Sequence, residues 1–378
     1  MTSREAYIAL NMVPNVGPVR VRALLEAFGK PQAIMAARRD ELLRVENIGA
    51  EVAQSIVNWR QYADLDAELV RIEKAGVRVV TREDAEYPKR LREIYDPPLV
   101  LYVRGSLDDG DPHSVAIVGS RRTTLYGQEM ARKLAYQLAR VGVTVVSGAA
   151  RGIDTHAHRG VLQAKGRTVA VLGCGVDVAY PPENKELLGQ IAEKAGAVVS
   201  EFSMGTKPDR QTFPMRNRVI SGWSLGVVVV EANARSGALI TASFAAEQGR
   251  QVFAVPGRAD SALSKGSNHL IKDGAKLTED VEDILSEFEY LFPNMKKAER
   301  TAEDGSGKQE ATAGLKVSEI EQKILAAMGD EEMAMDEIIR RSGLTTACVS
   351  ATLLALEMKR IVKQLPGKVF ARSIGAQG

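Results

Sequence analysis

Cysteine is almost absent from this chain of 378 residues: Cys174 and Cys348 stand far apart, which excludes a disulfide framework and a cysteine-rich zinc site. Histidine is nearly as scarce. Of His113, His156, His158 and His269, the middle two lie two apart and on a helix would not face one ligand together, so no metal is expected. No apolar run approaches the roughly 20 residues of a membrane span, and the first 15 residues carry Arg4 and Glu5 without the apolar stretch of a signal peptide. A cytoplasmic protein with no membrane partner is the expectation. Charge of one sign is missing too, since 50 Lys and Arg oppose 48 Asp and Glu for a formal net charge of +2, unlike a basic tail or an acidic disordered chain. Nucleotide motifs are lacking as well. No Gly-x-x-x-x-Gly-Lys-Ser/Thr loop is present, and Gly305-Ser306-Gly307-Lys308 does not lie between a strand and a helix. Gly173-Cys174-Gly175 lacks the third glycine of a dinucleotide fingerprint, and Tyr180-Pro181-Pro182 follows it. Neither an ATPase motor nor a bound dinucleotide is expected, and no cofactor is assigned.

What is present is the composition of an ordinary globular protein, 45% hydrophobic and 26% charged, long enough for two or three domains. Short apolar runs, Val115–Val118, Val143–Val146, Thr168–Leu172, Ala197–Val199, Gly226–Val230 and Val252–Val255, alternate with amphipathic stretches such as Gln128–Arg140 and Leu239–Glu247. Runs that are apolar throughout suit strands covered on both faces, so the pattern predicts a doubly wound α/β domain over residues 63–292. Residues 293–314, rich in charge and in Gly305-Ser306-Gly307, cannot bury enough surface to order themselves and read as a linker.

The flanking segments differ from this core. Residues 1–62 read as helical, with two breaks of the form Asn-apolar-Gly, at Asn15-Val16-Gly17 and Asn47-Ile48-Gly49, each followed by an amphipathic helix, Val21–Phe28 and Val52–Trp59. The repeat resembles paired helix-hairpin-helix units, whose turn N–H groups can meet a phosphate. Asn stands where that motif usually has its first Gly and tolerates left-handed backbone. With 8 basic against 6 acidic residues here, contact with DNA and a packing or partner-binding role both stand open. Residues 315–378 are expected to hold helices over Val317–Met328, Met335–Arg341 and Thr345–Lys359, then strands Ile361–Gln364 and Lys368–Ala371 joined at Pro366-Gly367, a winged helix. Its second hairpin helix has no Lys or Arg from Thr345 to Met358, so a protein contact or a weak duplex contact fits it equally.

Small and basic residues gather where strands end, the place at which open α/β sheets bind ligands and helix N-termini receive anions. Gly119, Ser120, Arg121 and Arg122 follow one strand, Ser147, Gly148 and Arg151 the next, and Arg235, Ser236 and Gly237 a third. Tight turns alone would account for the glycines but not for the arginines, so a phosphate-bearing ligand is favoured. In the segment Asp209–Arg218, Pro214 suits a first helical turn, placing Phe213 at the helix mouth among Arg210, Arg216 and Arg218, beside Asn217. An aromatic among cations is a base-stacking platform, with stacking contributing about 1–3 kcal/mol per base whatever the sequence. The competing reading makes Phe213 a core residue and pairs Arg216 or Arg218 with Glu231 or Glu247.

At these residues the chain resembles the DprA/Smf family of bacterial DNA-processing proteins. The likeness runs through Ala116–Arg122, Val146–His158, Phe213–Gly222, Glu231-Ala232, Ser236–Ala242 and Val255-Pro256-Gly257. It implies an extended Rossmann-like domain flanked by a helix-hairpin-helix/SAM-like module and a winged helix. It further implies sequence-independent binding of single-stranded DNA, homodimerisation, and loading of RecA onto incoming strands protected by SSB during natural transformation, with no reaction catalysed. Carried over, Gly119-Ser120-Arg121 would hold a phosphate, Arg210 would be the basic pocket residue and Phe213 the stacking aromatic. The alternative is a Rossmann-like nucleotide or nucleotide-sugar phosphoribohydrolase with Glu231 and Glu247 as its acids, although the loop after Glu231 lacks the Pro-Gly-Gly-x-Gly-Thr pattern such enzymes resemble.

Overall fold

A computed structural model describes residues 1–108, 111–288, 319–329, 332–358, 361–365 and 369–372. The chain divides into two compact units, residues 1–293 and 294–378. The expected linker, residues 293–314, and the expected Pro366-Gly367 turn lie outside the described residues.

The first unit is built on a nine-stranded sheet: β1 (Arg78–Thr81), β2 (Val100–Gly105), β3 (Ser114–Val118), β4 (Thr144–Ser147), β5 (Thr168–Leu172), β6 (Gly196–Ser200), β7 (Gly226–Val229), β8 (Gln251–Ala254) and β9 (Lys276–Leu277). Their order is β1-β2-β6-β5-β4-β3-β7-β8-β9. From β3 onward every pairing is parallel, while β1 and β2 are antiparallel additions on the β6 edge. These two strands and the two-residue β9 were not among the expected ones. The chain winds from β3 outward through β4, β5 and β6, then crosses back to β7 and winds the other way. That reversal makes the gap between β3 and β7 a topological switch point, where the strand ends leave a crevice.

Alternation within the strands distributes the core. Val115 and Ile117 point to one face, beneath helices Leu125–Arg140 and Ile153–Gln163, while Ala116 and Val118 point to the other, beneath helices Thr212–Trp223 and Gly237–Glu247. Farther along the first face, Val79, Tyr102, Ala170, Leu172 and Val198 pack against the N-terminal helices, with Tyr7, Leu10, Leu24 and Ile56 buried in the same cluster. The helical module therefore shares a core with the sheet. Its two breaks form as the sequence suggests: Asn15 and Asn47 take φ of 62° and 63°, and Gly17 and Gly49 cap the helices Pro18–Phe28 and Ala50–Val57. Among the described residues no helix is long and apolar enough to cross a membrane.

The second unit has helices Glu319–Met328, Met335–Ser342 and Thr346–Met358 and a small antiparallel sheet of β10 (Met333–Ala334), β12 (Val369–Arg372) and β11 (Val362–Leu365). Gly343, at φ 64°, ends the middle helix in the left-handed conformation expected of a helix-turn-helix break. Ile324, Ile338, Val349, Leu353 and Phe370 fill its core. β10, too short to announce itself in sequence, completes the winged helix.

Candidate nucleic-acid interface

The crevice at the switch point is a cleft of about 640 Å³. Gly119-Ser120-Arg121-Arg122 form one wall, Asn233, Ser236 and Gly237 the opposite wall, and Arg210, Phe213, Arg216 and Asn217 the side. The first wall is fixed by its own backbone. The Ser120 N–H donates to the Glu231 carbonyl at 2.6 Å, tying the turn after β3 to the end of β7, and the Ser120 hydroxyl donates to the Arg122 carbonyl at 2.5 Å. Ser120 is thereby a buried organiser of the turn, whereas Arg121 and Arg122 project to solvent.

Phe213 is positioned by the start of its helix and by three neighbours. The Thr212 hydroxyl donates to the carbonyls of Gly173 at 2.5 Å and Asp209 at 2.9 Å, pinning the start of the Thr212–Trp223 helix beside the end of β5. Gly173 lies directly behind the ring, where a Cβ would fall 2.7 Å from Phe213 Cδ1. Tyr180 stands 5.6 Å away, tilted by 31°, and the Arg121 guanidinium lies 5.1 Å from the ring centroid. An aromatic pair with a guanidinium over it matches the geometry that receives planar bases and follows phosphates. Tyr180, and Asp154 on the cleft floor, are candidate site residues that the sequence pattern does not single out; Tyr180 stands there only in the Tyr180-Pro181-Pro182 stretch after Gly173-Cys174-Gly175.

Arg216 forms the cleft floor from within. It is 5% exposed, donates through Nη1 to the Gly148 carbonyl at 2.7 Å and to the Val171 carbonyl, and through Nε to Asn217 Oδ1 at 3.2 Å. Gly148 admits it: a Cβ there would come within 2.7 Å of the guanidinium. Burial pulls the Arg216 pKa down to about 10, with Asp154 opposing, so the side chain stays cationic at neutral pH. Burial also raises Asp154 to about 6, against the pull of Arg216 and of the Ala150 N–H that its carboxylate accepts at 3.2 Å. The floor thus holds a permanent cation beside an acid that protonates under mildly acidic conditions.

Other expected site residues stand elsewhere. Ser147 is fully buried, its hydroxyl donating to the Ile117 carbonyl at 2.7 Å to stitch β4 to β3. Arg151 forms an exposed ion pair with Glu183 and borders a small crevice of about 20 Å³ behind Phe213 rather than the cleft lining. Arg218 points into the core, with Nη2 2.5 Å from Glu201 Oε2 and Nε 3.0 Å from Asp96 Oδ2. Its partners are neither Glu231 nor Glu247. Ser236, by contrast, stays in the cleft wall and caps the Gly237–Glu247 helix, its hydroxyl accepting from the Ala238 N–H at 3.3 Å. The two acids considered for hydrolysis are outside the cleft lining: the Glu231 carboxylate accepts from the Thr124 N–H and hydroxyl at 3.0 and 2.6 Å, and Glu247 lies exposed at the far end of its helix.

At the helical module, Asn15 Nδ2 donates to Glu51 Oε1 at 3.2 Å and Arg20 folds back to donate to the Asn15 carbonyl at 2.6 Å. A carboxylate therefore stands at the turn where a phosphate would have to approach. The module and the helix Leu65–Lys74 that follows it instead hold the segment leading to Arg210: Asn11 donates to the Glu201 carbonyl at 2.9 Å, and Glu68, buried in that following helix, accepts from the Met204 N–H at 2.8 Å.

Comparison with known proteins agrees with this layout. Residues 78–289 match the family model described as DNA recombination-mediator protein A, residues 308–368 the DprA winged helix domain, and residues 8–67 the helix-hairpin-helix motif. The protein Smf of Synechocystis sp. is 37% identical over 98% of this chain and 99% of its own length. The DNA processing protein DprA of Streptococcus pneumoniae is 46% identical over 54% of this chain and 72% of its own, and the X-ray structure from that organism superposes with a TM-score of 0.66 at 36% identity over 76% of this chain and 98% of that one. DNA processing protein A of Helicobacter pylori, a structure concerned with a single-stranded DNA binding mode, gives 0.51 at 30% identity over 56% of this chain and 95% of that one.

Proposed function

The chain belongs to the family of DNA recombination-mediator protein A, the DprA/Smf proteins, and from that premise we propose that its switch-point cleft binds single-stranded DNA without regard to sequence. The observation that carries the reading is Phe213, set between Tyr180 and the Arg121 guanidinium and ringed by the cations of Arg122, Arg210 and buried Arg216. In the bound state Phe213 stacks a base, Arg121, Arg122 and Arg210 follow phosphates, and Gly119, Ser120, Asn217, Ser236 and Gly237 shape the walls. Ser147, Gly148 and Arg218 act on the site from beneath, by holding the sheet, Arg216 and the helix.

Working as a homodimer in the cytoplasm, the protein protects incoming strands and loads RecA onto them in the presence of SSB, during natural transformation and recombination. It performs no reaction of its own. The proposed division of labour is residues 1–62 as a packing module, 63–292 as the strand-binding domain, 293–314 as linker and 315–378 as a winged helix that adds little to single-strand affinity.

Fluorescence anisotropy of a labelled oligonucleotide of about 35 nucleotides, single-stranded against duplex and at several salt concentrations, tests the reading. Tight, salt-dependent and strand-selective binding is expected, together with no base released from nucleoside monophosphates. Equal affinity for both forms, or turnover of a nucleotide, would overturn it.

A further inference from the structure

The near-neutral charge of the chain conceals one strongly basic surface beyond the cleft. Residues 119–165 carry eight Lys and Arg, of which Arg151 is paired with Glu183 outside the segment, against Glu129 and Asp154, while the rest of the 378 residues carry 42 basic against 46 acidic. Asp154 is buried, so Glu129 is the one carboxylate of this segment near solvent. A local excess of this size raises a positive potential that a polyanion senses over about a Debye length.

The cations are arranged on two packed helices. Lys133 and Arg140 are exposed and seven residues apart on the Leu125–Arg140 helix, two turns along one face. The Ile153–Gln163 helix closes against this one at Gly160, where a Cβ would lie 3.1 Å from Arg132 Cα, and Arg132 Nη2 reaches to 3.3 Å from His156 Nδ1. Exposed Arg159 therefore stands next to the crossing point, beside Arg132. Lys133, Arg140 and Arg159 form no ion pair among the described residues. The row starts at the cleft itself, because Arg121 and Arg122 line the cleft and lead into the first of these helices. At about 1.5 Å per residue, 16 residues carry it about 24 Å, from the carboxyl edge of the sheet to the amino edge.

We infer that a single strand leaving the cleft continues across this two-helix face, its phosphates neutralised by Lys133, Arg140 and Arg159. The inference rests on the cleft holding single strands. A nucleic-acid backbone fits the face better than an acidic protein does. Protein interfaces are anchored by buried apolar or aromatic residues, and of the large hydrophobic side chains that stand exposed only Tyr126 belongs to these helices. Separated cations on long stems, continuous with a stacking site, are what a strand of any sequence requires.

The test compares the wild type with K133Q/R140Q/R159Q on two single strands, one of about 6 nucleotides, near the lower end of single-strand site sizes, and one of about 35. The triple variant is expected to bind the short strand as the wild type does, to lose about tenfold or more on the long one, and to show a slope of log affinity against log salt shallower by about 2, from 0.7 per lost phosphate contact. Unchanged melting temperature shows that the fold is retained. If the long strand is bound equally by both proteins with the same slope, the face serves another partner, such as an acidic protein, and the inference is wrong. Failure of the cleft reading looks different: the wild type would not hold the short strand, or F213A would hold it equally well.

Discussion

Arg218, one helical position from a cleft residue, decides how far the row of arginines belongs to the site, and Arg218→Met separates support from contact. Its side chain is 6% exposed, as is 8% of Glu201, and the pair is closed at 2.5 Å with Asp96 adding a second bond at 3.0 Å. An exposed ion pair contributes about 0–1 kcal/mol, but removing one partner of a buried pair strands the other charge and costs about 3–5 kcal/mol. Against a total stability of about 5–15 kcal/mol that loss is large. Burial already raises the Glu201 pKa, with Arg218 pulling the other way, so losing the arginine raises it further. An acid with its folded pKa above the unfolded one contributes stability at low pH and loses it as pH rises through the folded value. The deficit of Arg218→Met is therefore expected to be greater at pH 8 than at pH 5, and to shrink when Glu201→Gln is added. Urea unfolding followed by fluorescence of Trp223, buried in the same helix, reads both effects. A cost below about 1 kcal/mol, or one independent of pH, together with a large drop in strand affinity, would refute this assignment.

Phe213→Ala is expected to weaken single-strand binding by about 1–3 kcal/mol with little change in stability, measured by anisotropy and thermal melting. Arg210→Ala should lower the salt slope by about 0.7, one phosphate contact. Gly148→Ala places a methyl 2.7 Å from the Arg216 guanidinium, and displacing that buried cation should cost both stability, about 1–3 kcal/mol by urea unfolding, and affinity. Removing residues 315–378 should leave single-strand affinity within about twofold, since residues 315–374 carry 9 basic against 8 acidic residues; a larger loss in a folded remainder would contradict this.

Much of this architecture was legible because its signals are local. The runs at 115–118, 168–172 and 226–230 are apolar throughout, as fully covered strands must be, and Asn15 and Asn47 sit where a left-handed turn residue is required. β1 and β2 add on antiparallel, outside the βαβ rhythm by which the other strands were recognised, and β9 has two residues. That Gly119, Phe213 and Gly237 come together at one cleft was legible in the sequence, but the fate of each arginine was not. Arg216 and Arg218 lie two apart on a helix and so point to different sides, and their partners Val171, Glu201 and Asp96 are distant in sequence. Likewise Arg151 reads as a phosphate ligand until Glu183, 32 residues on, is found beside it.

The central claim, that a single strand lies against Phe213 in the switch-point cleft, is tested most directly by photo-crosslinking a thymidine oligonucleotide to the full chain and locating the adduct by peptide mass spectrometry. The expected adduct falls on the peptide carrying Phe213 or on that carrying Tyr180, and disappears when Phe213→Ala is combined with Tyr180→Ala. Adducts confined to residues 1–62 or to the winged helix, with none around the cleft, would contradict the account.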